Sequence, residues 1–234
     1  MAWNKLFAHR AGEDEEHWIT VSDLMSGLMI IFLFIAITYI RPLVNERNTV
    51  REIAVTWQES EVQLYEALEA EFRADLRRWN AEIDRETLAV RFKAPEVLFA
   101  PAKATIRPEF QAILRDFVPR YLDVLAKFRD KIEEVRIEGH TSSDWGGVGG
   151  SEAYFRNMAL SQERTRAVLE FGLSLAAAER HAEWARAHIT ANGLSSSRLV
   201  MVDGREDPER SRRVEFRVRT NAKQEIVRIL ETVK

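Results

Sequence analysis

The chain contains no cysteine, which excludes disulfide scaffolds, thiolate metal sites and cysteine nucleophiles and leaves the redox compartment open. It also lacks a charge excess of either sign. Its 37 acidic and 34 basic residues give a formal charge of -3, without the concentrated basic excess that phosphate neutralisation requires, so no nucleic-acid partner is expected. Glycine and proline are scarce, ten and six in 234 residues. Neither occurs between Pro42 and Pro95, whereas five glycines (Gly139, Gly146, Gly147, Gly149, Gly150) fall within one short stretch. This uneven punctuation divides the chain into an unbroken first part and a turn-rich second part.

What is present begins with an apolar run, Val21 to Ile40. Twenty helical residues span about 30 Å, one bilayer crossing. The residues before the run are acidic (Glu13, Asp14, Glu15, Glu16) and no small-residue cleavage site follows, so an uncleaved membrane anchor is expected rather than a signal peptide. Lys5 and Arg10 precede the run while Arg41, Arg47 and Arg51 follow it, a distribution that does not fix the orientation. The one charge inside it is Asp23. An unpaired carboxylate in hydrocarbon is costly and marks an ion or proton path when it faces protein or water; alternatively, Asp23 caps the helix at the headgroup level. Ser26 and Gly27 share its helical face, where a hydroxyl can support the acid and small residues let helices approach.

From Val44 to Glu86 the chain is charge-rich and unpunctuated, and Tyr65, Leu68, Phe72, Leu76, Trp79 and Ile83 recur at intervals of three and four. That spacing predicts one amphipathic helix whose stripe pairs two copies as a coiled-coil-like stalk; the alternative is that the stripe packs on the chain's own C-terminal part. From Leu88 the texture changes. Strands are expected at Leu88–Phe92, Val97–Phe99, Glu134–Glu138, Leu199–Val202 and Val214–Val218, and helices at Pro108–Phe128, Ser161–Leu175 and Ala182–Ile189, an α+β or α/β sandwich. The expected organisation is a leader (1–20), a transmembrane helix (21–40), a helical stalk (41–87), the sandwich domain (88–220) and a C-terminal helix (221–234).

The run WITVSDLMSGLMIIFLF resembles the transmembrane signature of MotB-type stator subunits. The resemblance implies that Asp23 carries a translocated proton or sodium ion, with two such helices standing inside a ring of MotA-type partner subunits. Farther on, VLFAPAKATIRPEF, IEGHTSSD, RNMALSQERTRAV and SRRVEFRV are similar, in order, to blocks of the OmpA-like peptidoglycan-binding domain. This implies a periplasmic domain that binds the diaminopimelate stem peptide of the cell wall, and hence a cytoplasmic N-terminus and an inner-membrane location.

A zwitterionic diaminopimelate end needs a guanidinium for its carboxylate and an acid or carbonyl for its ammonium. Arg164 occupies the arginine position of the resemblance, with Leu160 and Asn157 one and two turns before it on the same face. Where that family has Gly-His-Thr-Asp, this chain has Gly139, His140, Thr141 and Ser142, so the acid is replaced by a hydroxyl and Asp144 is the candidate substitute. The expected wall-binding set is therefore Thr141, Ser142, Asp144, Asn157, Leu160 and Arg164. No metal, cofactor or catalytic residue is expected. Ser161, His140 and Asp144 could be drawn as a nucleophilic triad, but no nucleophile elbow surrounds Ser161, and Arg212 and Arg213 are read as strand-edge packing residues.

Two systems share this stator plan: flagellar motors and the Zorya anti-phage defence system, in which a ZorB-type subunit partners a ZorA ring. The short acidic N-terminal stretch and the uninterrupted helix beyond the membrane resemble the Zorya type more than the flagellar type. A passive anchor to peptidoglycan is the alternative without energy coupling.

Overall fold

The computed structural model describes the backbone of residues 4–93, 98–100, 102–222 and 224, and the side chains of 21–40, 59–93, 98–100, 102–222 and 224. Helix α1 is assigned over Asn4–Leu76, and the chain divides into a first unit up to Ala54 and a second, Val55–Ile229. In the first unit, Val21–Ile40 is the segment long and apolar enough to cross a membrane. Its large side chains, Leu24, Met29 and Phe34 among them, are exposed, which in water would be an untenable apolar surface and in a bilayer is the ordinary condition of a spanning helix.

The second unit is built around a five-stranded sheet of order β1-β2-β7-β3-β4. Its strands are β1 (Ala81–Asp84), β2 (Ala89–Phe92), β3 (Ile132–His140), β4 (Ile189–Gly193) and β7 (Arg213–Thr220). All neighbours are antiparallel except β3 and β4. That parallel pair needs a crossover, supplied by helix α3 (Gly150–Ser174) and, after a 3-10 turn at Ala176–His181, the short α4 (Ala182–His188). Helix α2 (Pro108–Ala126) starts with proline at its first position, where a missing N–H is harmless. A two-stranded ribbon, β5 (Met201–Val202) with β6 (Arg205–Glu206), and the single turn α5 (Pro208–Ser211) precede β7.

Alternation along β7 separates the two faces of the sheet. Val214, Phe216 and Val218 are buried beneath the helices, joined by Val90, Phe92, Val135 and Ile137. Phe117 of α2 is the hub of that core, its ring centroid 5.0–5.1 Å from those of Phe72, Phe92 and Phe216 and 4.9 Å from that of Tyr121. Arg213, Glu215 and Arg217 occupy the other face, so β7 changes from apolar to ionic at every residue.

The end of α1 belongs to this core. Leu68 and Phe72 are 0% exposed and Trp79 5%, with Tyr65, Leu76 and Ile83 packed alongside. The stripe read from the sequence as a seam between two copies is spent inside the chain's own domain, because the sheet's apolar face needs a helix to cover it. Arg120 of α2 fastens the contact: it donates to the Glu71 carboxylate and carbonyl at 2.6 and 2.7 Å and to Asp75 at 2.9 Å, with its guanidinium 5.0 Å from the Phe72 ring. The boundary expected at residues 87 and 88 therefore falls inside the second unit. The helix ends at Leu76, and Asn80 and Leu88, both at positive φ, lead into β1 and β2 of the hairpin that stands where helix was expected to Glu86.

Other boundaries also differ. The Val97–Phe99 strand reduces to a single bridge between Phe99 and Ile106, with residue 97 outside the described residues. Leu199–Val202 yields only β5, outside the main sheet, while β4 begins at Ile189, where a helix was expected to end. Helix α3 starts eleven residues earlier than predicted, at Gly150. The C-terminal helix expected at 221–234 lies almost wholly outside the described residues.

Candidate functional site

In the first unit, the structure sets Asp23 in the first turn of the apolar segment, and among the described residues it has no hydrogen bond or ion pair. Ser26, expected to support it, turns its hydroxyl back to donate to the Ser22 carbonyl at 2.7 Å. This is the usual way a serine satisfies itself within an apolar helix. What remains is one carboxylate in a twenty-residue apolar span.

In the second unit, the candidate wall site is assembled by the way α3 lies on the ends of β3 and β4. Gly139 ends the apolar part of β3, and a Cβ there would lie 2.7 Å from Thr165 Cγ2 and 2.9 Å from the Ser161 carbonyl oxygen. Such close approach brings the face of α3 that carries Asn157, Leu160 and Arg164 against the loop leaving β3. Ser161, buried between them, donates to the Met158 carbonyl at 3.0 Å and accepts from the Ser195 amide at 3.1 Å. Its hydroxyl is thus engaged in seating the helix rather than aimed at a base.

The loop is held from both sides. The Thr141 amide donates to the Ser195 carbonyl at 2.9 Å. The Asn157 side-chain amide donates to the carbonyls of Ser142 and Asp144 at 3.1 and 3.2 Å. Ser143 donates its backbone amide to Glu206 at 2.9 Å and its hydroxyl to the same carboxylate. After Trp145 the chain reverses through Gly146 and Gly147, both at positive φ, and Val148 returns to donate to the Trp145 carbonyl at 2.9 Å. Two central glycines with positive φ are what a tight two-residue hairpin turn requires.

All six residues expected from the sequence line one open pocket of about 300 Å³, together with Ala102, Trp145, Gly146 and Arg212. Arg164 donates through Nε to the Lys103 carbonyl at 3.0 Å and lies 4.9 Å from the Phe99 ring centroid, but no carboxylate pairs with it among the described residues. Burial, and then the charge of Arg212, pull its pKa down to about 10, so it remains a cation at neutral pH. The Thr141 residue is 3% exposed and its hydroxyl oxygen is buried without a hydrogen-bond partner. A guanidinium with no carboxylate on it among the described residues, in one pocket with an idle hydroxyl, can take a carboxylate.

Arg212 is the residue that the sequence reading assigned to packing. The signal was present in strand parity: Arg212 shares the parity of Val214 and Phe216, the helix-covered side, whereas Arg213 shares that of Glu215. Arg213 is the packing residue expected, donating through Nε to Glu215 at 2.6 Å.

On that opposite face, Glu138, His140 and Glu215 bring three metal-type donor atoms within 4.8 Å of one another. The donor set is already committed. Glu215 takes Arg213 and Arg91, the latter at 2.8 Å, and Glu138 takes Arg198 at 3.1 Å and Arg217 at 3.6 Å. A divalent ion would stand among four guanidiniums, and the cluster is better read as a buried ion-pair network. Burial alone would raise the Glu215 pKa, but Arg213, then His140 and Arg91, draw it down to about 2. Burial lowers the His140 pKa, and the imidazole is neutral at pH 7.

No protein-family model matches the chain. It is 48% identical over 221 residues to the Zorya protein ZorB of Escherichia coli, covering 94% of each chain. A solved structure described as a putative MotB-like protein from Desulfovibrio vulgaris superposes with a TM-score of 0.50 at 24% identity, covering 73% of this chain and 94% of that one. The cell wall anchor of the type VI secretion system from Pseudomonas aeruginosa superposes with a TM-score of 0.46, also at 24% identity, covering 65% and 96%. The second unit thus has a MotB-like fold, and by identity over nearly its whole length the chain belongs to the ZorB family.

Proposed function

We propose that this chain is a wall-anchored, stator-like subunit of an ion-driven inner-membrane motor of the Zorya type. In this reading the N-terminus is cytoplasmic, the span Val21–Ile40 crosses the membrane, and the sheet domain grips peptidoglycan in the periplasm. Two copies stand together inside a ZorA-type ring. Asp23 is loaded and unloaded by a proton or sodium ion, which requires the partner helices to supply the wet, protein-lined surroundings that a spanning carboxylate needs.

The observation that carries the wall half of the proposal is Arg164, a guanidinium that among the described residues has no acid on it, in a pocket shared with the Thr141 hydroxyl, which among the same residues has no partner. The free carboxylate of a diaminopimelate stem peptide is a ligand of matching charge and size. Arg164→Ala in the full chain is expected to abolish co-sedimentation with purified sacculi; undiminished sedimentation would remove the pocket from wall binding.

The motor half rests on Asp23 and on membership of the ZorB family. Asp23→Asn keeps the shape and removes the titration. The expected result is loss of all motor-dependent phage protection with unchanged membrane insertion and wall binding. Full protection by that variant would leave a passive anchor to peptidoglycan, and restored swimming in a stator-deficient flagellate would instead identify a motility role.

A further inference from the structure

Trp145 stands apart among the described tryptophans. Trp79 packs against Phe72, Phe92 and Phe117, and Trp184 lies parallel to His188 with the Arg129 guanidinium 5.6 Å away. Trp145 has no ring contact and no guanidinium over it among the described residues, yet it is half-buried and lines the pocket that holds Arg164. A large indole left idle at a pocket wall forgoes the packing that normally justifies its size. The backbone, meanwhile, goes to some length to hold it there: Asn157 fixes the residue before it, and the Gly146–Gly147 turn fixes the residues after it.

The charge balance of the pocket says what the ring is for. Arg164, with no carboxylate on it among the described residues, favours a carboxylate. The proposed ligand, however, ends in a zwitterion, whose ammonium is one carbon from that carboxylate and so must enter the same positive surroundings. Ser142 and Thr141 offer it hydroxyls without charge. Among the lining residues only Asp144, exposed at the pocket, carries a negative charge, and next to it stands the indole.

We infer that Trp145, together with Asp144, receives the ammonium of the zwitterionic end, so that this pocket recognises the amino group by an aromatic face and a rim carboxylate. The electron-rich face of tryptophan is the best of the aromatic rings for this purpose. The inference rests on the proposed wall-binding role and adds a determinant of ligand choice within it: Arg164 reads the carboxylate, and Trp145 reads the neighbouring amine.

The test uses the full chain in detergent micelles and calorimetric titration with two synthetic tripeptides. One is L-Ala-γ-D-Glu-meso-diaminopimelate; the other carries L-2-aminopimelate in its place, joined through its single amino group, so that it keeps the distal carboxylate and lacks the distal amine. Trp145→Leu is expected to weaken the first roughly 5- to 30-fold while changing the second by less than about twofold, and Trp145→Phe is expected to recover most of the loss. Arg164→Ala should weaken both peptides. Equal losses for the two peptides with Trp145→Leu, or no loss for either, would overturn the role given to Trp145 while leaving the wall reading intact. Binding of neither peptide by the unaltered chain would overturn the wall reading itself, and this inference with it.

Discussion

Gly139 and Gly193 are register partners across the parallel β3–β4 pair, and α3 occupies the space that both side chains would have filled. At Gly193 a Cβ would lie 2.3 Å from the Gln162 backbone nitrogen and 2.7 Å from its Cα. The Gln162 side chain completes the contact, accepting from the Gly193 amide at 2.7 Å and donating to the Ala191 carbonyl at 3.1 Å. It thereby satisfies part of an edge strand that would otherwise present unpaired groups. Two glycines side by side thus set the depth at which α3 rests, and with it the position of Asn157, Leu160 and Arg164.

Gly193→Ala is therefore expected to destabilise the domain by about 3 kcal/mol, the upper end for overpacking, because the opposing atoms are helix backbone and cannot turn aside. It should also weaken sacculus binding by displacing Arg164. Gly172→Ala is the control: in α3 its Cβ would meet the Val118 methyls at 3.5 and 3.6 Å, ordinary contact, and alanine favours helix, so stability should hold or rise slightly. Urea unfolding followed by tryptophan fluorescence distinguishes the two.

Phe72→Ala separates a core role from a pairing role for the α1 stripe. Phe72 is fully buried against Phe117 and Trp79, so truncation should cost about 3–5 kcal/mol of domain stability. Mass photometry of the detergent-solubilised chain should show the same number of copies as before. A loss of copies with an unchanged unfolding midpoint would mean that the stripe joins two chains.

The ionic face of the sheet makes stability depend on pH in two stages. His140 is buried neutral, its pKa below the unfolded 6.5, so the unfolded chain takes up a proton first and stability starts to fall as pH drops below about 6.5. Glu215 has a folded pKa of about 2 against 4.5 unfolded. Its contribution, on the order of 3 kcal/mol, is present above pH 4.5 and is lost as pH falls from there towards 2. Denaturant midpoints measured at pH 7, 5.5 and 4 should decline throughout. Glu215→Gln should unfold more easily at pH 7 by about 3 kcal/mol, since it strands the buried Arg213 while Arg91 keeps Glu82 and Asp84, and should show a flatter decline below pH 4.5.

How far the sequence reveals this architecture depends on whether a pattern is local. Val21–Ile40 is visible because its length alone matches a bilayer, and the six pocket residues because they lie in short blocks of recognisable order. The three-and-four spacing from Tyr65 to Ile83 correctly marks a buried stripe, but periodicity does not state which surface buries it; that is decided by Phe117 and Arg120 of α2, contributed from farther along the chain. The β1–β2 hairpin is hidden because Ala81–Asp84 is short, mixed in polarity and free of turn glycine, its reversals being made by Asn80 and Leu88 at positive φ. Arg212 is missed for a different reason: adjacent arginines look alike until the chain enters β7 at Arg213, leaving Arg212 in the bend before it, at the pocket.

Asn157→Ala tests whether the loop is held for the ligand or merely for the fold. The variant removes the one donor that reaches both the Ser142 and the Asp144 carbonyls, and leaving buried carbonyls unmet costs about 1–3 kcal/mol. The loop retains its other attachments, Thr141 to Ser195 and Ser143 to Glu206, so the domain should still fold while Ser142 and Asp144 lose their fixed spacing from Arg164. The expected result is a loss of affinity for the diaminopimelate tripeptide of about tenfold or more, for a drop of no more than about 3 kcal/mol in unfolding free energy. Asn157→Asp should bind more weakly still, because a carboxylate facing two carbonyls repels where the amide donated, and because it brings a second negative charge close to the guanidinium on which the ligand depends. Affinity unchanged in both variants would mean that the loop is set by Glu206 and Ser195 alone, with Asn157 serving only to bury the start of α3.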